Sequence, residues 1–187
     1  MRRTHRALAV FLGLFVALHL GNHLTGLAGQ EIHGAVQTWL QAIYRHRLVE
    51  PLLLGAVALQ IALGLLLVAR RRDWTLQTIS GSYLAVFLLV HLGAVLGARA
   101  KGIETDLAFA AAGLHAPAPW PAVFAAYYGF AILAVFSHLS VPLARHSAVL
   151  GKATQLLGAS VALVLVALLA GFVTPLSIPA ALTEAFP

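Results

Sequence analysis

Five long apolar stretches run along the chain, and short polar segments separate them. The stretches cover residues 7–28, 49–69, 79–98, 121–143 and 153–174. A helix needs about 20 mostly apolar residues to cross the hydrocarbon core of a bilayer. It also satisfies its own backbone hydrogen bonds, as lipid requires. The pattern therefore predicts an all-α integral membrane protein, a bundle of five transmembrane helices that forms a single transmembrane domain over residues 1–187.

The composition agrees with a chain whose solvent is lipid. Hydrophobic residues make up 60% of the chain, charged residues make up 10%, and the mean hydropathy is +0.90. A soluble domain carries about 25% charged residues, so this chain has too few charges to solvate a surface. This excludes a cytosolic enzyme, a disordered tail and a nucleic-acid-binding module. The absence of Cys excludes disulfides, thiolate metal sites and cysteine-ligated iron–sulfur clusters.

Basic residues between the stretches predict the orientation of the chain. The segments on one side of the membrane carry Arg2, Arg3, Arg6, Arg70, Arg71, Arg72, Arg145 and Lys152, and those on the other carry Arg45, Arg47, Arg99 and Lys101. Lys and Arg accumulate in cytoplasmic segments. We therefore expect an integral protein of a membrane such as the bacterial inner membrane, with the N-terminus in the cytoplasm and the C-terminus outside.

Residues 1–28 also resemble a signal peptide. They have a basic start, an apolar run, and the small residues Gly26 and Ala28 before a possible cleavage site. The length of the apolar run and the two histidines within it favour a retained membrane span.

Ionisable and amide side chains inside the predicted spans are the candidates for function, since such residues are rare within membranes and usually functional. They are His19, Asn22, His23, Gln60, His91 and His138. His19 and His91 each lie twelve residues beyond the start of a span that runs outward, so both are about 18 Å from the inner edge. Two imidazoles at one depth on parallel helices suit a metal held from opposite sides. Gln60 and His138 lie about 14 Å and about 8 Å from that edge, which suggests a lower layer.

Several chemistries fit these side chains. Haem b takes two axial imidazoles, and a membrane proton relay also uses histidines. A bare zinc or copper site needs three or four ligands at one level, and the matched pair offers two, with His23 one turn away as a third. Hydrogen bonding between helices is the simplest alternative. The remaining histidines are expected to be interfacial or solvated: His5, His33, His46, His115 and His146.

The order and spacing of these residues resemble the cytochrome b membrane-anchor subunit of the succinate dehydrogenase/fumarate reductase family, in its five-helix form with two haems. The matching stretches are residues 15–19 (FVALH), 49–50 (VE), 59–64 (LQIALG), 76–81 (LQTISG) with His91 ten residues later, and 136–140 (FSHLS). The resemblance implies haem b between helices, with His19 and His91 as ligands of the outer haem iron and His138 as a ligand of the inner one. His23 competes with His19 for the outer axial position.

Gln60 departs from the family pattern, because it stands where the second helix normally supplies an inner-haem ligand. Glutamine is a poor haem ligand. We therefore expect fewer than two full bis-His haems per chain, with the inner haem absent or bound through His138 alone. No other histidine is expected at that depth.

The resemblance also implies a function and partners. The subunit would pass electrons between an iron–sulfur subunit and membrane quinone, with that subunit and a flavoprotein on the inner face. The chain has neither Cys nor a dinucleotide-binding motif, so it cannot oxidise succinate alone. The quinone head would lie near the outer haem, with Glu50, Tyr44 or His33 handling protons. The alternatives are a stand-alone haem-binding membrane protein without dehydrogenase partners, and a His-based proton relay or transporter.

Topology is directly testable. Reporter fusions after residue 187 should behave as exported, and fusions within 70–74 should behave as retained, because Arg70, Arg71 and Arg72 mark a cytoplasmic connection. Alkaline phosphatase and fluorescent-protein fusions measure the two sides. The reverse pattern would invert the assignment of inner and outer layers.

Overall fold

A computed structural model describes residues 1–70 and 73–186, apart from the Arg2 side chain. The described part contains helices and no strand. Its α-helices are α1 (Arg2–Thr25), α2 (Gln30–Tyr44), α3 (Val49–Ala69), α4 (Leu76–Ala100), α5 (Leu107–Ala111), α6 (Trp120–Ala144), α7 (Ala148–Leu169) and α8 (Ala180–Thr183). Short 3-10 turns cover Gly26–Ala28 and Ala112–Leu114.

Five helical segments of the described part are long and apolar enough to cross a membrane. They are Arg3–Ala28, Val49–Ala69, Leu76–Ala100, Trp120–Ala144 and Ala148–Leu169. The prediction of an all-α chain with five helices long and apolar enough to cross a membrane is confirmed for the described residues. Arg71 and Arg72, part of the expected inner basic segment, lie outside the described residues.

Capping residues, rather than hydropathy, set the ends of the fifth long helix. The predicted stretch was 153–174, but α7 begins at Ala148, because the Ser147 hydroxyl caps it by accepting the Leu150 N–H. The helix ends before Gly171, whose φ of 76° lies in the left-handed region. Glycine adopts that conformation without steric cost and commonly terminates helices. The apolar residues that follow therefore lie outside the helix.

The chain divides into two compact units, residues 1–72 and 73–187. In the first, called the N-terminal unit, α1 packs against both α2 and α3. The chain turns back at Gly29, where φ is 119°, so that α2 lies against the end of α1. The inward side of α2 carries His33, Gln37 and Leu40, all of them buried.

In the second, called the C-terminal unit, α6 packs against α4 and α7. The helices α6 and α7 approach closely because small residues line their contact. A Cβ atom at Gly158 would come within 2.3 Å of the Phe136 Cβ. Within the same contact, the Gln155 amide donates to the hydroxyl of Ser140, 3.2 Å away.

The connection between α4 and α6 is folded rather than extended. Asp106 caps α5 by accepting the Phe109 N–H at 2.9 Å. Leu107 and Ala111 pack with Leu169 of α7 in a buried cluster. The His115 ring donates to the Leu169 carbonyl at 3.0 Å, so this exposed histidine satisfies the end of α7.

The close packing of α6 against α7 at Gly158 can be tested by substitution. Gly158→Ala should lower the free energy of unfolding by about 1–3 kcal/mol, because the new methyl group overpacks the contact with Phe136. Gly129→Ala is the matched control in the same pair: its nearest neighbour, Val166 Cγ2, would lie at an ordinary 3.8 Å. Thermal unfolding in detergent measures both variants. Equal destabilisation would contradict close packing at Gly158.

Candidate functional site

Three imidazoles stand side by side in the N-terminal unit. His19 and His23 follow one another by one turn of α1, with ring centroids 4.8 Å apart. His33 of α2 lies beyond His23, with centroids 5.5 Å apart. His33 is only 1% exposed, so the expectation that it is solvated is wrong. The reason is the turn at Gly29, which folds α2 back and directs His33 towards α1.

Asn22 is a buried amide that contacts the His33 end of this row of imidazoles. Its amide nitrogen lies 3.2 Å from Nε2 of His33. The side chain is 8% exposed, and its Oδ1 is buried and accepts no hydrogen bond within the described residues. A buried acceptor of this kind is costly in an apolar setting, and a ligand donor would satisfy it.

A cavity of about 150 Å³ opens between α1, α2 and α3. Most of its lining is apolar, and its polar contributors are His19, Asn22 and Tyr44. Phe15 also lines it, stacked on the His19 ring at 5.9 Å and meeting the Tyr44 ring edge-on at 5.6 Å. Apolar pockets with a few convergent polar groups are the usual form of small-molecule sites.

The residues proposed for quinone chemistry take different positions. Tyr44 lines the cavity, whereas Glu50 lies in the first turn of α3, next to the lining residue Val49. His33 packs against Asn22 and His23 instead.

His91 in the C-terminal unit has the same local arrangement as His19. Its ring stacks on Phe87, one turn earlier on α4, with centroids 5.2 Å apart and planes 13° apart. The Phe15–His19 stack has an interplanar angle of 14°. Residues four apart share a helix face, so each phenylalanine restricts the ring of its histidine. The sequence analysis quoted Phe15 only as part of a matching stretch and did not name Phe87, although the repeated Phe-x-x-x-His spacing is visible in the chain.

His138 is held against α4 by its Nδ1 atom. That atom lies 3.1 Å from the Gln77 carbonyl oxygen and 3.3 Å from the Ser80 hydroxyl. A Cβ atom at Gly81 would come within 3.0 Å of the His138 ring, so the glycine makes room for it. The carbonyl oxygen can only accept, so Nδ1 of His138 carries the proton of this hydrogen bond. Metal-binding histidines are commonly oriented in this way.

Gln60 contacts His5, a histidine that the sequence analysis expected to be interfacial or solvated. Its amide nitrogen lies 3.5 Å from Nε2 of His5. The expectation that no other imidazole lies at the depth of Gln60 is wrong, because α1 begins at Arg2 and includes His5. Because arginines surround His5 in the sequence, this N-terminal segment was interpreted only as a signal for membrane orientation.

Across residues 1–70 and 73–186, no group of three or more His, Cys, Asp or Glu side chains could hold a metal ion. An axial haem pair takes two protein ligands. No family model, no curated protein and no solved structure matches the chain.

The Asn22–His33 contact yields a stability test. Asn22→Ala should lower the free energy of unfolding by about 1–3 kcal/mol, because a buried imidazole loses a hydrogen-bond partner. Thr38→Ala is the control, since it removes an exposed hydroxyl on α2 that bonds the Gly34 carbonyl. Chemical unfolding in detergent measures both. A loss in Thr38→Ala as large as that in Asn22→Ala would count against the buried contact.

Proposed function

We propose that the chain is a haem b-containing membrane-anchor subunit of the succinate dehydrogenase/fumarate reductase type, passing electrons between an iron–sulfur subunit and membrane quinone. The observation that carries the proposal is the likeness of His19 and His91. Each lies twelve residues into its predicted span, and each stacks nearly parallel on a phenylalanine one turn earlier. The proposal takes them as the axial pair of the outer haem.

The residues present fit a haem. Neutral imidazoles in apolar surroundings are standard axial ligands, and the Gln77 carbonyl oxygen orients His138 for the inner layer. Haem b, when bound, supplies a one-electron redox centre. Phe15 and Phe87 stack on these two imidazoles, and Arg45 would supply a cation for an anionic propionate of the bound haem.

The cavity of the N-terminal unit suits a quinone head. It is mostly apolar, and the Tyr44 hydroxyl and the Asn22 amide are its hydrogen-bonding groups besides His19. In this proposal Tyr44 and Asn22 hold the quinone oxygens. Glu50 takes up or delivers protons from the start of α3, and His33 holds Asn22 in place.

Two other functions have specific support. A stand-alone haem-binding membrane protein without dehydrogenase partners is favoured by Gln60, which replaces the family ligand of the second helix. A proton relay is favoured by the row of His19, His23 and His33, whose rings are 4.8 and 5.5 Å apart. Co-purification with flavin and iron–sulfur subunits separates the anchor from the stand-alone protein.

The haem proposal is tested with the purified chain. We expect a sharp reduced-minus-oxidised α-band of low-spin haem b that is lost in His19→Ala and in His91→Ala, because each removes an axial imidazole. His23→Ala should have a smaller effect, and His46→Ala, at an exposed position, should have none. Circular dichroism checks that the helices remain. A full low-spin spectrum in both ligand variants would overturn the assignment, and a relay would show no such band at all.

A further inference from the structure

The side chain of Asn22 offers a ligand in the cavity of the N-terminal unit a hydrogen-bond acceptor. Asn22 is one of the residues that line this cavity. Its Nδ2 atom lies 3.2 Å from Nε2 of His33, and His33 does not line the cavity. Its Oδ1 atom is buried and accepts no hydrogen bond in the part of the chain that the structure describes. Because the amide nitrogen is engaged with His33, the oxygen is the polar atom of Asn22 that remains for a ligand.

The size and the lining of the cavity suit one six-membered ring. Its volume is about 150 Å³, and an apolar cavity of about this volume in another protein holds one benzene molecule. The aromatic side chains of Phe15 and Tyr44 line it, together with the buried side chains of Leu40 and Leu53. A ring would pack against these side chains, and its polar substituents would be the groups that meet Asn22.

Exposed apolar side chains border the same cavity. Leu14, Leu18 and Ile43 belong to its lining, and all three are exposed. Within a membrane, such side chains accommodate an apolar chain attached to the ring. The cavity therefore fits a lipid-soluble aromatic molecule whose ring carries a hydrogen-bond donor.

We propose that this cavity binds the reduced, hydroxyl-bearing form of a membrane quinone, the quinol, in preference to the oxidised form. The inference rests on the proposed function, which makes a quinone the ring ligand. A quinol hydroxyl donates to Oδ1 of Asn22, whereas the oxygens of a quinone can only accept. When a quinone is bound, Oδ1 stays buried without a donor, and this weakens binding.

The expected preference corresponds to one hydrogen bond. Leaving one buried acceptor unsatisfied weakens binding by about ten- to a hundred-fold. Sites that hydrogen-bond a substrate hydroxyl reject analogues without that hydroxyl by the same mechanism. The contact of Nδ2 with His33 supports the preference, because it holds the amide in the orientation that leaves Oδ1 for the ligand. A site of this kind retains quinol and releases quinone more readily.

Binding of three matched ring probes to the purified full-length protein tests the proposal. The probes are trimethylhydroquinone, trimethylbenzoquinone and the dimethyl ether of the hydroquinone, which keeps the ring but has no O–H to donate. Isothermal titration calorimetry in detergent, without oxygen, measures their Kd values. We expect the hydroquinone to bind about ten- to a hundred-fold more tightly than either of the other probes. Equal binding of all three, tighter binding of the quinone, or no binding of any probe would overturn the proposal.

Substitution of Asn22 tests whether this amide causes the preference. Asn22→Leu removes the acceptor and keeps a side chain of similar size, so the Kd values of hydroquinone and quinone should become about equal. Thr38→Ala is the control and should keep the preference, because it removes an exposed hydroxyl of α2 that bonds the Gly34 carbonyl. Circular dichroism checks that the helices remain. A preference that persists in folded Asn22→Leu contradicts the proposal, and the comparison of probes on the parent protein decides it if that variant does not fold.

Haem spectra of the same samples separate this inference from the proposed function. If a haem band depends on His19 but hydroquinone and quinone bind equally, only this inference fails. If the chain holds no haem but prefers hydroquinone through Asn22, the donor-binding cavity stands and the electron-transfer function is overturned.

Discussion

Hydrocarbon neither donates nor accepts hydrogen bonds, and this constraint governs both the helices and the few polar side chains they carry. Each long helix satisfies its backbone internally. The side chains must find partners on neighbouring helices or on a ligand. Asn22 reaches His33, His138 reaches the Gln77 carbonyl, and Gln60 reaches His5. Within residues 1–70 and 73–186, Asn22 Oδ1 and Gln60 Oε1 are buried without a hydrogen-bond partner, so each position would be stabilised by a donor.

Hydropathy alone predicted the five apolar helices, because length and apolarity decide whether a helix suits a membrane. It could not predict the helix ends, which depend on local groups such as the Ser147 cap and the left-handed Gly171. The pattern also identified His19, His91 and His138 as polar residues within apolar runs. The burial of His33 could not be predicted from the sequence, because it depends on how α2 folds back on α1. His5 was missed because arginines surround it in the sequence.

Different parts of the candidate site are supported by different kinds of observation. The proposal that His19 and His91 are haem ligands rests on their predicted depth along the chain and on two similar Phe–His stacks. The orientation of His138 depends on a hydrogen bond and on the room that Gly81 leaves. The role of Gln60 changes most between sequence and structure. Its position alone indicates a lost ligand, whereas the structure places its amide nitrogen 3.5 Å from Nε2 of His5 on the neighbouring helix.

The central claim is that imidazoles of this chain hold haem iron on both axial sides. Near-infrared magnetic circular dichroism of the oxidised, purified protein tests it most directly, because the charge-transfer band of low-spin ferric haem reports the chemical identity of both axial ligands. The account predicts a band characteristic of bis-imidazole ligation. A purely high-spin spectrum, or a low-spin band characteristic of any other ligand pair, would contradict it.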